Sequence, residues 1–232
     1  MTNKIHIGII PDGNRRWCKE NNYPLSYLKT HWVSKIFLKE IEKLYNIFKN
    51  KENDKYKILS QINEVSLYVL SLDNIIQRGN NSKNIQTNYS ILKTFYAKFK
   101  ENYDKYKNIY NFFKLNIIGE IEYLPDEIQD IIKHLETTLN KGKFKINIAI
   151  AYCPKKDIEK IVLKNEDRII QNQTNIDLLF RSGREKRISG FFPYHMFYTE
   201  LYFSDKLWPD IRIDDIIEAI NTYNKTDRRF GK

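Results

Sequence analysis

Residues 5–17 read IHIGIIPDGNRRW, and this stretch decides the fold. The apolar run Ile5 to Ile10 ends at Pro11 and passes directly into a loop with an acid, a glycine and two arginines. A short apolar run followed by such a loop predicts a buried strand that leads into a helix. In open parallel sheets, ligands collect outside the carboxyl ends of the strands. We therefore expect this loop to form part of a ligand site.

The remaining sequence alternates short apolar runs with longer segments of helical periodicity, which predicts an α/β fold with a central parallel sheet flanked by helices. Further strands are predicted at Val65 to Leu72, Leu115 to Ile118, Ile146 to Tyr152 and Leu178 to Phe180. Amphipathic helices are predicted over Val33 to Phe48, over Pro125 to Leu139 and from Asp214 to Tyr223. The Asn- and Lys-rich segment Gln77 to Asn88 predicts a mobile loop. No domain boundary is visible, so we expect a single domain over residues 1–232.

Aromatic residues recur every three or four positions between Tyr89 and Phe113. A helix normally buries one apolar stripe, so this spacing favours a helix of the core. The wall of an apolar channel is the alternative interpretation.

The composition is that of a basic globular protein. Lys and Arg number 39 against 29 Asp and Glu, a formal charge of +10, which either attracts phosphate groups or belongs to solvated helical faces. The two cysteines, Cys18 and Cys153, fit neither a disulfide framework nor a paired-ligand zinc motif. The sequence shows no membrane-spanning run and no signal peptide. We expect a cytoplasmic protein.

The loop after the first predicted strand has the chemistry of a diphosphate site. Gly13 lets backbone amides approach an anion, and Arg16, with Arg15 beside it, offers charge-assisted hydrogen bonds. Asp12 would repel an anionic ligand unless a cation lay between them, and a carboxylate oxygen beside a diphosphate predicts Mg²⁺. A helix N-cap is the alternative role for Asp12.

A second basic cluster follows the predicted strand at Leu178 to Phe180. It contains four cations within seven residues, followed by Ser189; the cations are Arg181, Arg184, Lys186 and Arg187. Two anion sites would imply two phosphorylated substrates, whereas the alternative is a basic surface loop. No Walker or G-x-G-x-x-G pattern is present, so the common nucleotide-binding loops are not supported.

Three blocks resemble signatures of the cis-prenyltransferases, the undecaprenyl and dehydrodolichyl diphosphate synthase family. HIGIIPDGNRRW, residues 6–17, resembles the opening signature, and LYVLSLDN, residues 67–74, resembles the second. Residues 177–215 are similar, nearly residue for residue, to the family's R-T/S-G-G-E-x-R-I-S segment followed by E-L-Y-F and L-W-P-D. The blocks occur in the family's order and spacing and cover almost the whole chain.

The resemblance implies an enzyme that condenses isopentenyl diphosphate with an allylic diphosphate such as farnesyl or geranyl diphosphate. It also implies an elongated hydrophobic tunnel for the growing chain, in a homodimer or heterodimer. By the family pattern, Asp12 would hold Mg²⁺ and Trp17 would shape the nearby wall. The residues expected around the allylic diphosphate are Gly13, Asn14, Arg15, Arg16 and His31. A surface histidine is the alternative for His31.

The same pattern implies roles for residues of the second and third blocks. Ser71 and Asn74 would assist removal of the proton from isopentenyl diphosphate, although strand-end caps are the alternative. The expected grip on isopentenyl diphosphate consists of Arg181, Arg187 and Ser189, with Arg78 a further substrate-binding candidate. Glu200 of the neighbouring subunit would complete the Mg²⁺ environment, and Arg229 and Gly231 match an Arg-x-Gly tail that resembles a phosphate clasp across the dimer.

The sequence also departs from the family pattern. The N-Y-G-G-R-x-D run appears here as Ala151 to Asp157 without its glycines, and Arg184 replaces the second glycine of R-x-G-G-E. Two rival functions are a non-catalytic partner subunit of a prenyltransferase complex and a nucleic-acid-binding protein. The retained site residues argue against the first, and the lack of a recognised nucleic-acid motif argues against the second. We expect no nucleic-acid partner, but a peripheral membrane contact where product is released.

Overall fold

A computed structural model describes residues 4–29, 31, 36, 38–163 and 175–228. The strands are β1 Ile5–Ile10, β2 Ile62–Ser71, β3 Phe113–Ile118, β4 Phe144–Tyr152, β5 Leu178–Arg181 and β6 Glu200–Phe203. The helices are α1 Asn14–Glu20, α2 Leu38–Lys49, α3 Asp54–Leu59, α4 Leu72–Arg78, α5 Lys83–Tyr110, α6 Asp126–Thr138, α7 Pro154–Leu163 and α8 Ile213–Lys225. Short 3₁₀ turns lie at Ile121–Tyr123, Pro193–His195 and Trp208–Asp210.

The strands form one parallel sheet in the order β3-β4-β2-β1-β5-β6. β1 lies near the middle, between β2 and β5, and Ile10 is in register with Arg181. The strand order reverses direction at this point, which is where open parallel sheets bind ligands. The loops that follow β1 and β5 therefore leave the same edge of the sheet side by side.

The core around β1 explains why this strand lies at the centre. Ile5 and Ile7 are buried and pack with Phe180 of β5 and with Ile217 and Ile220 of α8. A strand that is buried on both faces reads as an apolar run, as this one does. The predicted α/β fold with a parallel sheet flanked by helices is confirmed.

One prediction from local composition was wrong, and one strand was missed. The segment Gln77 to Asn88 is not a long loop, because α4 continues to Arg78 and α5 begins at Lys83 after a short turn. The Ser82 hydroxyl accepts the N–H of Ile85 and so begins α5, which is the role of an N-cap. β6 was not predicted at all. The part of the predicted first helix before Leu38 lies mostly outside the described residues.

The aromatic stripe of α5 belongs to the core. Phe99 and Tyr110 are buried against Ile131 and Leu135 of α6. The core interpretation is confirmed by this contact. Although α5 has 28 residues, no helix in the described ranges is both long and apolar enough to cross a membrane.

A polar ladder interrupts the apolar core on one face of the sheet. The Asn147 amide donates to Glu64 at 2.6 Å and to Ser66 at 3.0 Å, and a ring nitrogen of His6 lies 2.8 Å from the Ser66 hydroxyl. Beside the ladder is a cavity of about 10 Å³ whose lining includes His6, Ser66, Asn147 and His195. Buried polar groups of this kind need hydrogen-bond partners, and the ladder supplies them across three strands.

Candidate active site

The carboxylate of Asp12 lies directly after β1, between two guanidinium groups. Its Oδ2 is 2.9 Å from Arg181 Nη2 and 3.4 Å from Arg16 Nη2. Its Oδ1 accepts the backbone N–H of Gly13 at 2.6 Å. The N-cap of α1 is Gly13, without a side-chain cap, so the alternative that Asp12 is the N-cap of α1 is wrong. Asp12 instead joins the two basic clusters that the sequence predicted separately.

The Asp12 loop, residues 11–13, is held in place by backbone contacts with Leu207 and Trp208. Gly13 has φ of 102°, and a Cβ there would lie 2.8 Å from Leu207 Cδ2 and 3.1 Å from Leu207 Cα. The N–H of Trp208 donates to the carbonyl of Asp12 at 3.0 Å. Only glycine fits this position without strain or displacement of Leu207.

The second cluster begins with Arg181, the last residue of β5, whose side chain is 3% exposed. Its Nη1 donates to the Ser189 hydroxyl at 2.8 Å and to the carbonyl of Arg187. The neighbouring Ser182 hydroxyl donates to the carbonyl of Asp12 at 2.9 Å. The β5 loop, residues 182–190, is therefore tied to the Asp12 loop through both side chain and backbone, and Arg181 is a buried cation rather than a surface one.

Two acids in this region were missed by the sequence reasoning. Glu185 accepts from Arg16 at 3.3 Å and also pairs with Arg187. Glu20 of α1 binds both terminal nitrogens of Arg184, at 2.8 and 3.2 Å. The only sequence signal was the presence of acids among the cations, which does not indicate a partner more than 160 residues away.

The wall beside the Asp12 loop is aromatic. Trp17 is buried, and its indole N–H donates to Asp210 at 2.9 Å. The His31 ring lies 4.9 Å from the Trp17 ring and 5.4 Å from the Tyr27 ring, stacked on both. His31 is half-buried in this stack and is not a plain surface histidine. The amide of Asn14 donates to the carbonyl of Pro11 at 3.3 Å.

Ser71 and Asn74 form one hydrogen-bonded pair at the end of β2. Ser71 is the N-cap of α4 and accepts the backbone N–H of Asn74 at 3.2 Å. The same Oγ accepts the side-chain amide of Asn74 at 2.7 Å. The cap interpretation is thus confirmed for Ser71, and the cap also fixes the orientation of the Asn74 amide. Arg78, the last residue of α4, and Arg15 of α1 are exposed.

Comparison with known proteins identifies the family. A prenyltransferase family model, described as undecaprenyl diphosphate synthase, matches residues 10–231. The chain belongs to the cis-prenyltransferases. The activity of this family is cis-prenyl chain elongation, so the chain is a prenyltransferase of isoprenoid biosynthesis.

Relatives among the cis-prenyltransferases match over their full length. The isoprenyl transferase of Rickettsia typhi is 33% identical over 247 residues, which cover 100% of both chains. A tritrans,polycis-undecaprenyl-diphosphate synthase (geranylgeranyl-diphosphate specific) of Aeropyrum pernix is 33% identical and covers 97% of both chains. The crystal structure of lavandulyl diphosphate synthase from Lavandula x intermedia, in complex with dimethylallyl diphosphate, is 25% identical with a TM-score of 0.73, covering 100% of this chain and 99% of that one.

Other predicted site residues of this cis-prenyltransferase lie at the opposite edge of the sheet. Glu200 begins β6 in register with Leu178, the first residue of β5, whereas Asp12 follows the carboxyl end of β1. The structure therefore does not bring Glu200 to Asp12 within one chain. Arg229 and Gly231 lie outside the described residues. The preceding Arg228 is at the same edge as Glu200, 3.7 Å from the carboxylate of Asp177.

The segments that depart from the cis-prenyltransferase pattern have definite structures. After Ala151, at φ of 50°, the chain enters α7 at Pro154, and the Tyr152 hydroxyl donates to Asp157 at 2.8 Å. Burial, followed by the charge of Asp157, raises the pKa of the Tyr152 hydroxyl. Arg184 has φ of 69°, so it adopts the left-handed conformation that a glycine in that position would favour.

The donors around Asp12 fit one kind of metal site only. Within the described ranges, no group of three or more His, Cys, Asp or Glu side chains could hold a metal by itself. Mg²⁺ commonly uses one or two carboxylates together with substrate phosphates. A single carboxylate with its side chain about one-third exposed, as in Asp12, fits that mode.

Proposed function

We propose that this cis-prenyltransferase condenses isopentenyl diphosphate with an allylic diphosphate, such as farnesyl or geranyl diphosphate, and releases diphosphate. The observation that carries the proposal is the meeting of two basic loops on one carboxylate, with Arg181 at 2.9 Å and Arg16 at 3.4 Å from Asp12. Two diphosphates held side by side need two cationic pockets in contact. Relatives support the substrate class, since one is specific for geranylgeranyl diphosphate and another structure holds dimethylallyl diphosphate.

The allylic diphosphate is assigned to the Asp12 loop and the start of α1. Gly13 lets the ligand approach the backbone amides at the start of α1, and these amides, with the side chains of Asn14 and the two arginines next to it, would bind the diphosphate oxygens. The exposed Arg15 is free to turn toward a ligand from solvent. Trp17 and the stacked His31 would cover the first part of the prenyl chain, and Arg78 is retained as a substrate-binding candidate.

Isopentenyl diphosphate is assigned to the β5 loop. Arg181 already orients the Ser189 hydroxyl at 2.8 Å, while the exposed Arg187 can reach a second phosphate oxygen. Fixing both diphosphates brings the reacting carbons together, an effect that contributes up to about 7–11 kcal/mol when alignment is good. Ser71 and Asn74, whose side chains are mutually fixed at 2.7 Å, are assigned to assist removal of the proton that isopentenyl diphosphate loses. They would orient the substrate, while the departing diphosphate would accept the proton.

Mg²⁺ is the proposed cofactor, held by Asp12 together with diphosphate oxygens. When bound, it would neutralise charge on the leaving diphosphate and so favour departure of that group. Arg181 and Arg16, which pair with the Asp12 carboxylate at 2.9 and 3.4 Å, would bind diphosphate oxygens when that carboxylate holds the cation.

A homodimer is the proposed assembly. Phe197, Tyr198 and Leu201 are 69%, 66% and 50% exposed and lie on or just before β6, the edge strand of the sheet. An exposed apolar group on an open strand edge favours contact with another chain. Glu200 lies within this group, which supports its assignment to the partner's Mg²⁺ environment. Arg229 and Gly231 are proposed as the phosphate clasp across the same interface.

The whole chain, residues 1–232, is proposed to act as one domain, in the cytoplasm. The family model spans residues 10–231, and both cysteines are free thiols, as a reducing compartment favours. An elongated hydrophobic tunnel for the product and a peripheral membrane contact for its release complete the proposal. No nucleic-acid partner is proposed.

The test is incorporation of labelled isopentenyl diphosphate by the purified chain alone, with an allylic primer and Mg²⁺. Asp12→Ala should abolish incorporation, while Asp12→Asn, which keeps the shape and a hydrogen-bond acceptor for Arg181, should lower it about 10²-fold or more because the charge is lost. Circular dichroism of both variants should show an intact fold. Full activity of either variant would refute the metal assignment. An inactive wild type that becomes active only with a second subunit would favour the non-catalytic partner role.

A further inference from the structure

The pairing of β2 with β4 is irregular between Tyr68 and Ser71. Val69 of β2 is an extra residue between the pairs Tyr68–Ala149 and Leu70–Ile150, and Ala151 of β4 is an extra residue between the pairs Leu70–Ile150 and Ser71–Tyr152. Such irregularities re-aim side chains and occur next to active sites. Here they lie at the carboxyl end of β2, between the two residues whose side chains approach the proposed isopentenyl diphosphate site.

The ring of Tyr68 is held by aromatic neighbours. It stacks on Phe191 at 5.1 Å with an interplanar angle of 18°, and it meets Tyr152 edge-on at 5.9 Å. These contacts fix the ring and leave the hydroxyl as the part that reaches the loops. Burial raises the pKa of Tyr68 to about 12, so its hydroxyl is a protonated donor at any physiological pH.

The Tyr68 hydroxyl lies between the two halves of the proposed isopentenyl diphosphate site. It donates to the carbonyl of Ser189 at 3.4 Å, and the interaction with the nearby Ser71 side chain works against the rise in its pKa. The Ser71 Oγ accepts the backbone N–H and the side-chain amide of Asn74, so its own proton is available for the Tyr68 hydroxyl. Polar groups therefore follow one another from Asn74 through Ser71 and Tyr68 to Ser189, whose hydroxyl binds Arg181.

We infer that Tyr68 is a positioning residue for the condensation, and that it couples the placement of the Ser71–Asn74 pair to the loop that grips isopentenyl diphosphate. The inference rests on the proposed function, because it uses the roles assigned there to Ser71, Asn74 and Arg181. A positioned pair matters most when the proton is lost, since displacement by about 1 Å can cost up to about 10²-fold in rate. Binding of the diphosphate depends on the side chains of Arg181, Arg187 and Ser189, whereas among these residues Tyr68 bonds only to the backbone carbonyl of Ser189.

The test compares Tyr68→Phe with Tyr152→Phe. Tyr68→Phe keeps the ring and removes only the hydroxyl, so kcat should fall about tenfold while KM for isopentenyl diphosphate stays within about twofold. Tyr152→Phe removes a more deeply buried hydroxyl from the same aromatic cluster, one that donates to Asp157. It should leave kcat near the wild-type value. Equal losses in both variants would mean that the cluster is merely structural and would overturn the inference.

A second readout follows the proton itself. With isopentenyl diphosphate deuterated at the carbon that loses its proton, Tyr68→Phe should show a larger isotope effect on kcat than wild type, because proton loss then limits the rate more strongly. An unchanged isotope effect and an unchanged kcat would overturn the inference. Arg181→Ala separates this outcome from failure of the proposed function. If that variant loses isopentenyl diphosphate binding while Tyr68→Phe behaves as wild type, only the role of Tyr68 is refuted.

Discussion

The two loops that meet at the active site are held in different ways. The Asp12 loop is fixed by backbone, with Gly13 pressed against Leu207 and the Asp12 carbonyl bound by Trp208 and Ser182. The β5 loop is anchored by backbone at its start, where the N–H of Gly183 donates to the carbonyl of Lys206 at 2.8 Å, but its outer part is held by exposed or half-exposed pairs, Arg184–Glu20 and Arg16–Glu185. The Asp12 loop has no such exposed part. Substitutions should therefore act strongly on the Asp12 loop and weakly on the exposed pairs of the β5 loop.

The largest effect is expected from Gly13→Ala. Its Cβ would overlap Leu207 at 2.8 Å, and φ of 102° is unfavourable for any L side chain. The free energy of unfolding should fall by about 3 kcal/mol, and incorporation of isopentenyl diphosphate should fall with it. Urea unfolding followed by circular dichroism measures the first quantity.

Gly79→Ala is the matched control for this change. Gly79 also has a positive φ, 71°, but a Cβ there meets nothing within 4 Å. It should lose about 1–2 kcal/mol, the backbone cost alone, because φ of 71° with ψ of 149° lies in a region that only glycine adopts readily. Equal losses at Gly13 and Gly79 would show that the contact with Leu207 contributes nothing to the rigidity of the Asp12 loop.

A smaller loss of stability is expected when the pH is lowered, and it should act through His195 in the segment that follows the β5 loop. Burial lowers the pKa of His195 from its ordinary value of about 6.5, against the charges of Asp157 and Glu64, with His6 adding to the decrease. Below that ordinary value the unfolded chain binds the proton first, so stability falls as pH drops from about 6.5 to the folded-state pKa and then levels off.

His195→Gln isolates this contribution because glutamine keeps hydrogen-bonding capacity but does not titrate. The urea midpoint of the variant should fall less between pH 7 and pH 5 than that of wild type. Parallel pH curves for the two proteins would mean that His195 is not the titrating group behind the loss.

The smallest effect is expected at Arg184. Arg184→Ala keeps the left-handed strain and loses the pair with Glu20, so its urea midpoint should drop slightly, whereas Arg184→Gly relieves the strain and should stay close to wild type. High salt screens an exposed pair, so at 0.5 M NaCl, about a 4 Å screening length, wild type should approach the alanine variant. A large loss in either variant, insensitive to salt, would contradict the view that the β5 loop depends on weak exposed pairs.

Much of the sheet could be predicted because buried parallel strands are apolar runs. β1 was predicted with its exact bounds, and the predictions for β2, β3, β4 and β5 fell within or next to the observed strands. β6 was missed because Glu200 to Phe203 lies in a run of aromatics without alternation. The helices around Gln77 to Asn88 were missed because their polar residues lie on exposed faces, where composition does not distinguish a helix from a loop.

The site was predicted in parts and not as a whole. The sequence indicated both anion clusters, yet the contact between Asp12 and Arg181 joins residues 169 positions apart and follows from the strand order β1-β5. The local sequence pattern gives no information about the order of the strands in the sheet. Glu185, Glu20 and Tyr68 were missed for the same reason, since each acts through a neighbour supplied by a distant segment.

The closure of the Asp12 loop by Leu207 and Trp208 has a consequence for biosynthesis. Residues 12 and 13 leave the ribosome early, but the strand and turn that complete their surroundings come from the last quarter of the chain. A nascent chain that carries the whole amino-terminal signature must remain without an assembled catalytic centre until translation is nearly finished. Prematurely terminated products should therefore be inert instead of partly active, and their uncovered central strand would make them targets for chaperones and proteases.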